Sequence, residues 1–183
     1  MKLIVGISGA SGSIYGIRLL EELRKKGIET HLIISPWGGF TLEKETNYKL
    51  DSAKTLASRY YSHEDLSAPV SSGTFKHDGM IIAPCSMKTL SGIAYGFTDN
   101  LLIRAADVTI KEGRKLVLLV RETPLNVIHL ENMLKLARLG VVIMPPVPAF
   151  YTKPASIEEI VEQTVGRACE LFNITLDGFK IWQ

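Results

Sequence analysis

The sequence predicts an α/β fold with three layers, in which a Rossmann-like parallel sheet is covered by helices on both faces. Apolar runs of strand length alternate along the chain with segments of helical periodicity. These runs are continuously apolar, as is typical of strands that are buried on both faces of a parallel sheet. The first run leads directly into a loop of glycine and serine and then into a helix, which is the unit that opens many nucleotide-binding sheets.

The composition indicates one globular domain, residues 1–183, with 46% hydrophobic and 22% charged residues. A net charge of +2 gives no support for binding to nucleic acid or to a membrane surface. No apolar stretch approaches the length of a spanning helix, and the chain opens on a strand without a leader, so we expect a cytoplasmic protein. Cys85 and Cys169 are far apart, which favours free thiols, and no metal cluster is expected.

Glycines, prolines and capping residues set the predicted element boundaries. We expect strands over residues 3–7, 29–35, 79–83, 115–120 and 141–144. One helix is predicted to follow the first loop and to end at Gly27. Four more are predicted over residues 40–46, 51–61, 99–112 and 126–139, and two begin after the capping residues Ser86 and Ser156. Residues 37–39 are predicted as a turn. Residues 63–76 form the longest loop, and a loop of that length is often functional.

The loop of residues 8–13 has the properties of an anion-binding turn. Its glycines permit a positive φ and a close approach of a ligand, and the helix that follows offers unpaired N–H groups. The glycine spacing is neither G-x-G-x-x-G nor that of a Walker A loop. The second strand ends at Ser35 and not at an acid that would bind the ribose of NAD, which favours a mononucleotide. The alternative is a tight turn that binds nothing.

Polar residues collect where the predicted strands end, and this is the edge at which parallel sheets bind ligands. The set comprises Ser8 to Ser11, Ser35, Ser86 to Thr89, Arg121, Glu122 and Tyr151. Taken together it suits an anion with a polar tail. Taken singly, Ser86 and Thr89 are equally well explained as helix caps, and Arg121 with Glu122 as a surface ion pair.

Several motifs resemble those of the UbiX-type flavin prenyltransferases, some of which are described as phenolic acid decarboxylase subunits. They are residues 3–16, 83–86 with 89–91, 100–107, 121–124, 128–133, and Phe150-Tyr151 followed by Pro154. The resemblance covers nearly the whole chain. It implies a flavoprotein fold and a metal-independent reaction that joins a dimethylallyl group from dimethylallyl monophosphate to N5 and C6 of reduced FMN. It also implies a UbiD-type decarboxylase as the recipient of the prenylated FMN.

The resemblance assigns roles to individual residues. The implied FMN-binding residues are Gly9, Ala10, Ser11, Ser35, Ser86, Met87, Lys88, Thr89 and Arg121, and the implied prenyl-phosphate residues are Lys111, Arg121, Glu122, Tyr151 and Arg167. The implied catalytic residues are Ser11 and Glu122, as a proton relay toward the leaving oxygen, and Glu45, which assists the later step. From the residues alone, Arg167, Lys111 and Glu45 are ordinary surface charges, so their assignment depends on the resemblance.

The implied residues suit this chemistry, because departure of a monophosphate without a metal requires cations and acid donors around the developing charge. Leu66 departs from the family at a position where members can carry an aromatic residue near the prenyl group. We expect Arg167 to reach the site only from a neighbouring protomer. The implied assembly is therefore a homo-oligomer with the site at a subunit interface, with a dodecamer among the options left open.

Two other functions remain open alongside the prenyltransferase. One is an FMN carrier or accessory subunit of an aromatic acid decarboxylase, which would bind the flavin without changing it. The other is an FMN-dependent cysteine decarboxylase, which requires a catalytic histidine near the flavin. No histidine follows the first loop, and this counts against the cysteine decarboxylase.

Overall fold

The computed structural model describes residues 1–181 of the chain. Within them, six strands form one parallel sheet in the order β3-β2-β1-β4-β5-β6. The strands are β1 (Lys2–Ile7), β2 (Glu29–Ile34), β3 (Arg59–Tyr61), β4 (Gly79–Cys85), β5 (Lys115–Val120) and β6 (Val142–Ile143). The predicted domain of residues 1–183 includes Trp182 and Gln183, which lie outside the described residues.

Seven α-helices of the described chain cover the two faces of this sheet. They are α1 (Ser13–Lys25), α2 (Pro36–Glu45), α3 (Leu50–Lys54), α4 (Met87–Tyr95), α5 (Leu101–Lys111), α6 (Val127–Arg138) and α7 (Ile157–Glu170), with short 3-10 turns at Pro69–Ser71 and Phe150–Thr152. Successive β1 side chains belong to different cores: Val5 packs with α1 and α7, and Ile4 packs with α4 and α5. The predicted three-layer parallel fold is confirmed.

The capping residues predicted from the sequence hold the helix starts that position the loops. The Ser86 hydroxyl accepts a hydrogen bond from the Thr89 N–H at 3.3 Å, and the Ser156 hydroxyl accepts one from Glu159 at 3.2 Å. The Asn126 side chain accepts one from the His129 N–H at 2.9 Å. Each cap satisfies a backbone donor that has no partner within its own helix.

The turn predicted over residues 37–39 is wrong, because these residues belong to α2. Ser35 is the N-cap of this helix, and its hydroxyl accepts a hydrogen bond from the Gly38 N–H at 3.0 Å. Gly38 lies directly on β1, where an added Cβ would be 2.5 Å from the Ile7 carbonyl oxygen. The glycine therefore permits close packing of a helix on the sheet, and it does not mark a turn.

The helix predicted over residues 51–61 is also wrong. It ends with α3, and residues 59–61 form the edge strand β3, in register with β2 through His31↔Arg59 and Leu32↔Tyr60. Just before this pairing, Thr30 and Ser58 exchange two hydrogen bonds of 3.1 Å between backbone N–H groups and side-chain hydroxyls. Pairing with a neighbouring strand overrides the local helical preference here.

Both cysteines are free and buried within the described chain, as predicted. Burial raises the pKa of the Cys85 thiol far above its usual range, and burial with the nearby Glu22 carboxylate raises the pKa of Cys169 to about 12. Across residues 1–181, no group of three or more His, Cys, Asp or Glu side chains could hold a metal ion. No helix in this part of the chain is long and apolar enough to cross a membrane.

Candidate functional site

A cavity of about 610 Å³, the first cavity, lies where β1, β2, β4 and β5 end. Its lining residues are Gly9, Ser35, Pro36, Trp37, His63, Glu64, Ser86, Met87, Lys88, Thr89, Asp99, Asn100, Ile103 and Glu122. The structure therefore brings together Gly9, Ser35 and Glu122 with the whole predicted segment Ser86 to Thr89. The volume falls within the range of small-molecule and cofactor sites, roughly 300–1,000 Å³.

Ser8 joins the two loops that form the floor of the first cavity. Its hydroxyl donates to the Pro84 carbonyl oxygen at 2.9 Å and accepts from the Ser86 N–H at 2.8 Å. The side chain is buried, with 1% of its surface exposed. The sequence placed Ser8 among the ligand-binding residues, but its hydrogen bonds fix the loop after β1 to the loop after β4.

Two helix N-termini, those of α2 and α4, contribute residues to the first cavity. Ser35 and Ser86 cap these helices, and the exposed Lys88 adds a positive charge on the first turn of α4. Helix N-termini carry partial positive charge and attract anions. Hydroxyls, a cation and two such helix starts around a cavity of this size fit a phosphate-bearing ligand the size of FMN. Ser86 and Thr89 thus serve both as a helix cap and as cavity wall.

The N-terminus of α1, which the sequence presented as the anion-binding turn, already holds a carboxylate of the protein. The Glu45 carboxylate oxygen accepts hydrogen bonds from the Gly12 N–H at 2.8 Å and the Ser13 N–H at 3.3 Å. Two N–H groups of the predicted anion-binding turn therefore already bind an anionic side chain of the same chain. Ala10 and Ser11 lie between this capped helix start and Gly9.

Sequence reasoning missed His63, Asp99 and Asn100 on the wall of the first cavity. The carbonyl oxygen of His63 accepts from the Leu101 N–H at 2.8 Å, which attaches the long loop to the start of α5. Burial, assisted by the Lys88 charge, lowers the pKa of His63 against the opposing effect of Asp99 and Glu64. The available sequence signal was the length of the 63–76 loop.

A second cavity, of about 280 Å³, contains Tyr151 and Arg167 of the same chain. Its other lining residues are Met144, Pro145, Val147, Ala149, Gln163, Thr164 and Phe179. The Tyr151 hydroxyl accepts a hydrogen bond from the Gln163 amide at 3.4 Å, and the Arg167 guanidinium pairs with Glu170. A second, smaller cavity, in which Tyr151, Gln163, Thr164 and Arg167 lie among apolar side chains, is therefore present beside the final helix.

Tyr15 connects the second cavity to the end of β5. Burial raises the pKa of its hydroxyl, while a hydrogen bond with Thr164 and the nearby Arg121 charge act in the opposite direction. Thr164 lines the second cavity one turn before Arg167. Thr164 and Arg167 belong to α7, which packs on α1. That Arg167 reaches the first loop from a neighbouring protomer stays a prediction.

Arg121 and Glu122 directly follow β5, and Glu122 lies on the wall of the first cavity. The Arg121 N–H donates to the Cys85 carbonyl oxygen at 3.0 Å, which fixes the end of β5 against β4. The Arg121 charge acts on Tyr15, and Glu122 lines the first cavity. The dipeptide therefore contributes an acid to the first cavity and a positive charge near Tyr15.

Lys111 is not brought to this edge within the chain. It ends α5, just before β5 begins, and its ammonium group pairs with Glu112. β5 spans Lys115–Val120, which at about 3.3 Å per residue separates Lys111 from Arg121 by roughly 20 Å. The helix runs back to the amino ends of the strands, so Lys111 lies away from Arg121 and Glu122 of its own chain, and its implied role at the prenyl phosphate stays a prediction. Leu66 is 47% exposed in the long loop.

The comparisons with known proteins agree on one family. The model of the family described as Flavoprotein matches residues 1–169. A probable UbiX-like flavin prenyltransferase from Bacillus subtilis (strain 168) is 55% identical over 182 residues, which cover 100% of this chain and 89% of the relative.

Two solved structures are similar over the whole chain. AnUbiX in complex with FMN and dimethylallyl pyrophosphate has a TM-score of 0.98 and 49% identity, covering 100% of this chain and 97% of that one. A dodecameric FMN-dependent UbiX-like decarboxylase from Escherichia coli O157:H7 has a TM-score of 0.99 and 49% identity, covering 100% of both chains.

Proposed function

The chain belongs to the Flavoprotein family and, within it, to the UbiX-type flavin prenyltransferases, and from this premise we propose what its two cavities bind. The enzyme joins the dimethylallyl group of dimethylallyl monophosphate to N5 and C6 of reduced FMN. The first cavity takes FMN, and the second cavity takes the phosphate of the prenyl donor. A UbiD-type decarboxylase receives the prenylated FMN.

The observation that carries this proposal is a second cavity, lined by Tyr151 and Arg167, in addition to the first cavity at the strand ends. A flavin carrier needs only the first cavity, with its two helix N-termini and Lys88. The second cavity adds an arginine and a phenol, Arg167 and Tyr151, which are suited to a separate phosphate. The second cavity therefore favours group transfer over storage of FMN.

The residues around the second cavity supply charge stabilisation to the leaving phosphate. Arg167 and Arg121 provide fixed positive charge, and the Tyr151 hydroxyl can donate a hydrogen bond to a phosphate oxygen. Glu122 and Ser11 carry the proposed proton relay toward the leaving oxygen. Gly9, Ala10, Ser35 and the segment Ser86 to Thr89 hold FMN, and the bound flavin supplies the nucleophilic ring atoms.

Glu45 is proposed to act in the later step from its position at the start of α1. Its carboxylate accepts hydrogen bonds from the Gly12 and Ser13 N–H groups, which fix its position. A carboxyl group fixed at that point is suited to proton transfer. This role is additional to its effect on the stability of α1.

Lys111 is proposed to act on the site of a neighbouring subunit, because it lies at the opposite edge of the sheet in its own chain. A homo-oligomer, with the site completed at a subunit interface, satisfies this requirement. The outer face of α6 is suited to assembly, since Val127, Leu130 and Leu134 are 68%, 51% and 51% exposed. The dodecameric relative supports a dodecamer.

We further propose that residues 1–183 form a single domain and that the protein is cytoplasmic. The first is supported by the single sheet to which all described strands belong. The second is supported by two buried, unpaired cysteines, which are typical of proteins from reducing compartments.

The deciding experiment is mass spectrometry of the flavin after anaerobic incubation with reduced FMN and dimethylallyl monophosphate. The proposal predicts a flavin heavier by one dimethylallyl group. A carrier would return unmodified FMN. Glu122→Gln should bind FMN and give no heavier product, and full retained activity in this variant would remove Glu122 from the mechanism.

A further inference from the structure

Trp37 places a large aromatic ring on the wall of the first cavity. It is the second residue of α2 and follows the cap Ser35 and Pro36. The side chain is 66% exposed even though the neighbouring Gly38 and Gly39 are buried. The motifs that resemble the family do not include it, and the sequence placed it in a turn.

The backbone of Trp37 is held against the loop after β1. A Cβ added to Gly9 would lie 2.4 Å from the Cβ of Trp37, and one added to Gly38 would lie 2.5 Å from the Ile7 carbonyl oxygen. These contacts leave no space between the start of α2 and the end of β1. The backbone and Cβ of Trp37 therefore have a fixed position at the rim of the first cavity.

The indole ring is also braced from its outer side. The Phe40 ring meets it edge-on, with ring centroids 5.4 Å apart and an interplanar angle of 79°. Edge-to-face pairs of this kind stabilise the relative orientation of the two rings. A braced ring with an exposed surface is preorganised for contact with a planar ligand.

Polar groups on the same cavity serve the anionic end of a ligand. Ser35, Ser86 and Lys88 surround the two helix N-termini, whereas an indole has one N–H donor and a broad apolar face. A ligand that contacts both the helix N-termini and the indole face has a phosphate at one end and a planar aromatic ring at the other. We propose that the Trp37 indole lies against the ring system of bound FMN and determines its affinity for the ring; this inference rests on the proposed function.

The test compares FMN with riboflavin, which has the same ring but no phosphate. Trp37→Ala should weaken binding of both ligands by the same factor, about tenfold, as loss of aromatic stacking does elsewhere. Trp37→Phe should stay within about threefold of the wild type, because it keeps a stacking face. Lys88→Ala should weaken binding of FMN only. Isothermal titration gives the affinities, and visible circular dichroism of bound flavin should change in Trp37→Ala.

Tyr95→Ala is the matched control, because Tyr95 is an exposed aromatic residue at the far end of α4. The Tyr95→Ala variant should bind FMN and riboflavin with the same affinities as the wild type. Unchanged affinity of Trp37→Ala for both ligands overturns the inference and leaves FMN binding intact. A loss for FMN alone also overturns it, because Trp37 would then serve the phosphate. A wild-type protein that binds no FMN would refute the proposed function itself. Far-ultraviolet circular dichroism verifies that each variant is folded.

Discussion

Ser8 illustrates how one buried hydroxyl can determine the geometry of a site that it does not enter. It binds the Pro84 carbonyl near the end of β4 and the Ser86 N–H just after that strand. Ser8→Ala should leave the Ser86 N–H without its partner, while the Pro84 carbonyl keeps the Ser8 N–H at 3.1 Å, and we expect the free energy of unfolding to fall by about 1–3 kcal/mol. Urea denaturation measures the change. Ser11→Ala, at an exposed position of the same loop, should change stability by less than about 0.5 kcal/mol.

Glu45 was predicted only as an acid near the flavin, but its hydrogen bonds give it a structural role as well. Glu45→Gln keeps the size of the side chain and removes the charge that interacts with the start of α1. We expect a loss of about 1 kcal/mol of stability, the usual size of a capping contribution, together with slower prenylation. Denaturation and product mass measure the two effects separately. Unchanged stability would contradict the capping role.

Histidines at the amino ends of the strands predict acid sensitivity. Burial lowers the pKa of His31 and His77, and the buried Nε2 of His77 has no hydrogen-bond partner among the described residues. The unfolded chain therefore binds more protons below about pH 6.5, the ordinary histidine value. The stability contributed by these neutral rings is present above that pH and lost as pH falls below it.

The measurement is a series of urea unfolding curves between pH 7.5 and 5.5. The wild type should lose stability steadily over this interval. His77→Gln should show a shallower dependence, because one of the groups that take up a proton on unfolding has been removed. An equal slope in the variant would show that His77 does not contribute. The Gly79 carbonyl accepts a hydrogen bond from His77 Nδ1 at 3.1 Å, and the amide of a glutamine at this position can still donate one.

At the scale of elements, two adjacent glycines of α2 should respond in opposite ways to the same substitution. Gly38→Ala places a Cβ 2.5 Å from the Ile7 carbonyl oxygen, so we expect a loss of about 1–3 kcal/mol. Gly39→Ala meets only Leu50 side-chain atoms at 3.4 Å and removes a flexible residue from a helix, so we expect a gain of up to about 1 kcal/mol. Thermal unfolding of both variants is the check, and equal effects would contradict the packing of α2 on β1.

The elements that could be predicted are those whose signals are local. Asn126 and Ser156 cap helices through contacts three residues away, and β5 is an unbroken apolar run. The edge strand β3 could not be predicted, because its pairing with β2 is a long-range contact. The glycines of α2 were wrongly predicted as a turn for a similar reason, because Gly38 permits close packing on β1, which is also a long-range contact.

The candidate site shows the same difference between residues with a local sequence signal and residues placed by long-range contacts. The residues of the first cavity follow from the rule that parallel sheets bind ligands where strands end. The position of Lys111 does not follow from this rule, because α5 runs antiparallel to the strands and ends at the opposite edge of the sheet. Trp37 and His63 were missed, because one lay in an assumed turn and the other in a loop without periodicity.

At the scale of the whole molecule, the position of Lys111 predicts complementation between subunits. Lys111→Ala and Glu122→Gln should each give little product alone. Oligomers formed from a mixture of the two should recover activity, in about a quarter of the sites for random equal mixing, because some sites combine an intact Lys111 with an intact Glu122. Product mass measures the recovery. No recovery in a verified mixed oligomer would place both residues in the site of one chain.

The two buried cysteines make the native chain a ready background for spectroscopic labels. Maleimide and nitroxide reagents need an accessible thiolate, and Cys85 and Cys169 are each fully covered, with raised pKa values. A cysteine introduced on an exposed helix face would therefore be modified selectively without replacing either native residue. Pairs of such labels would give distances across a subunit boundary directly in solution.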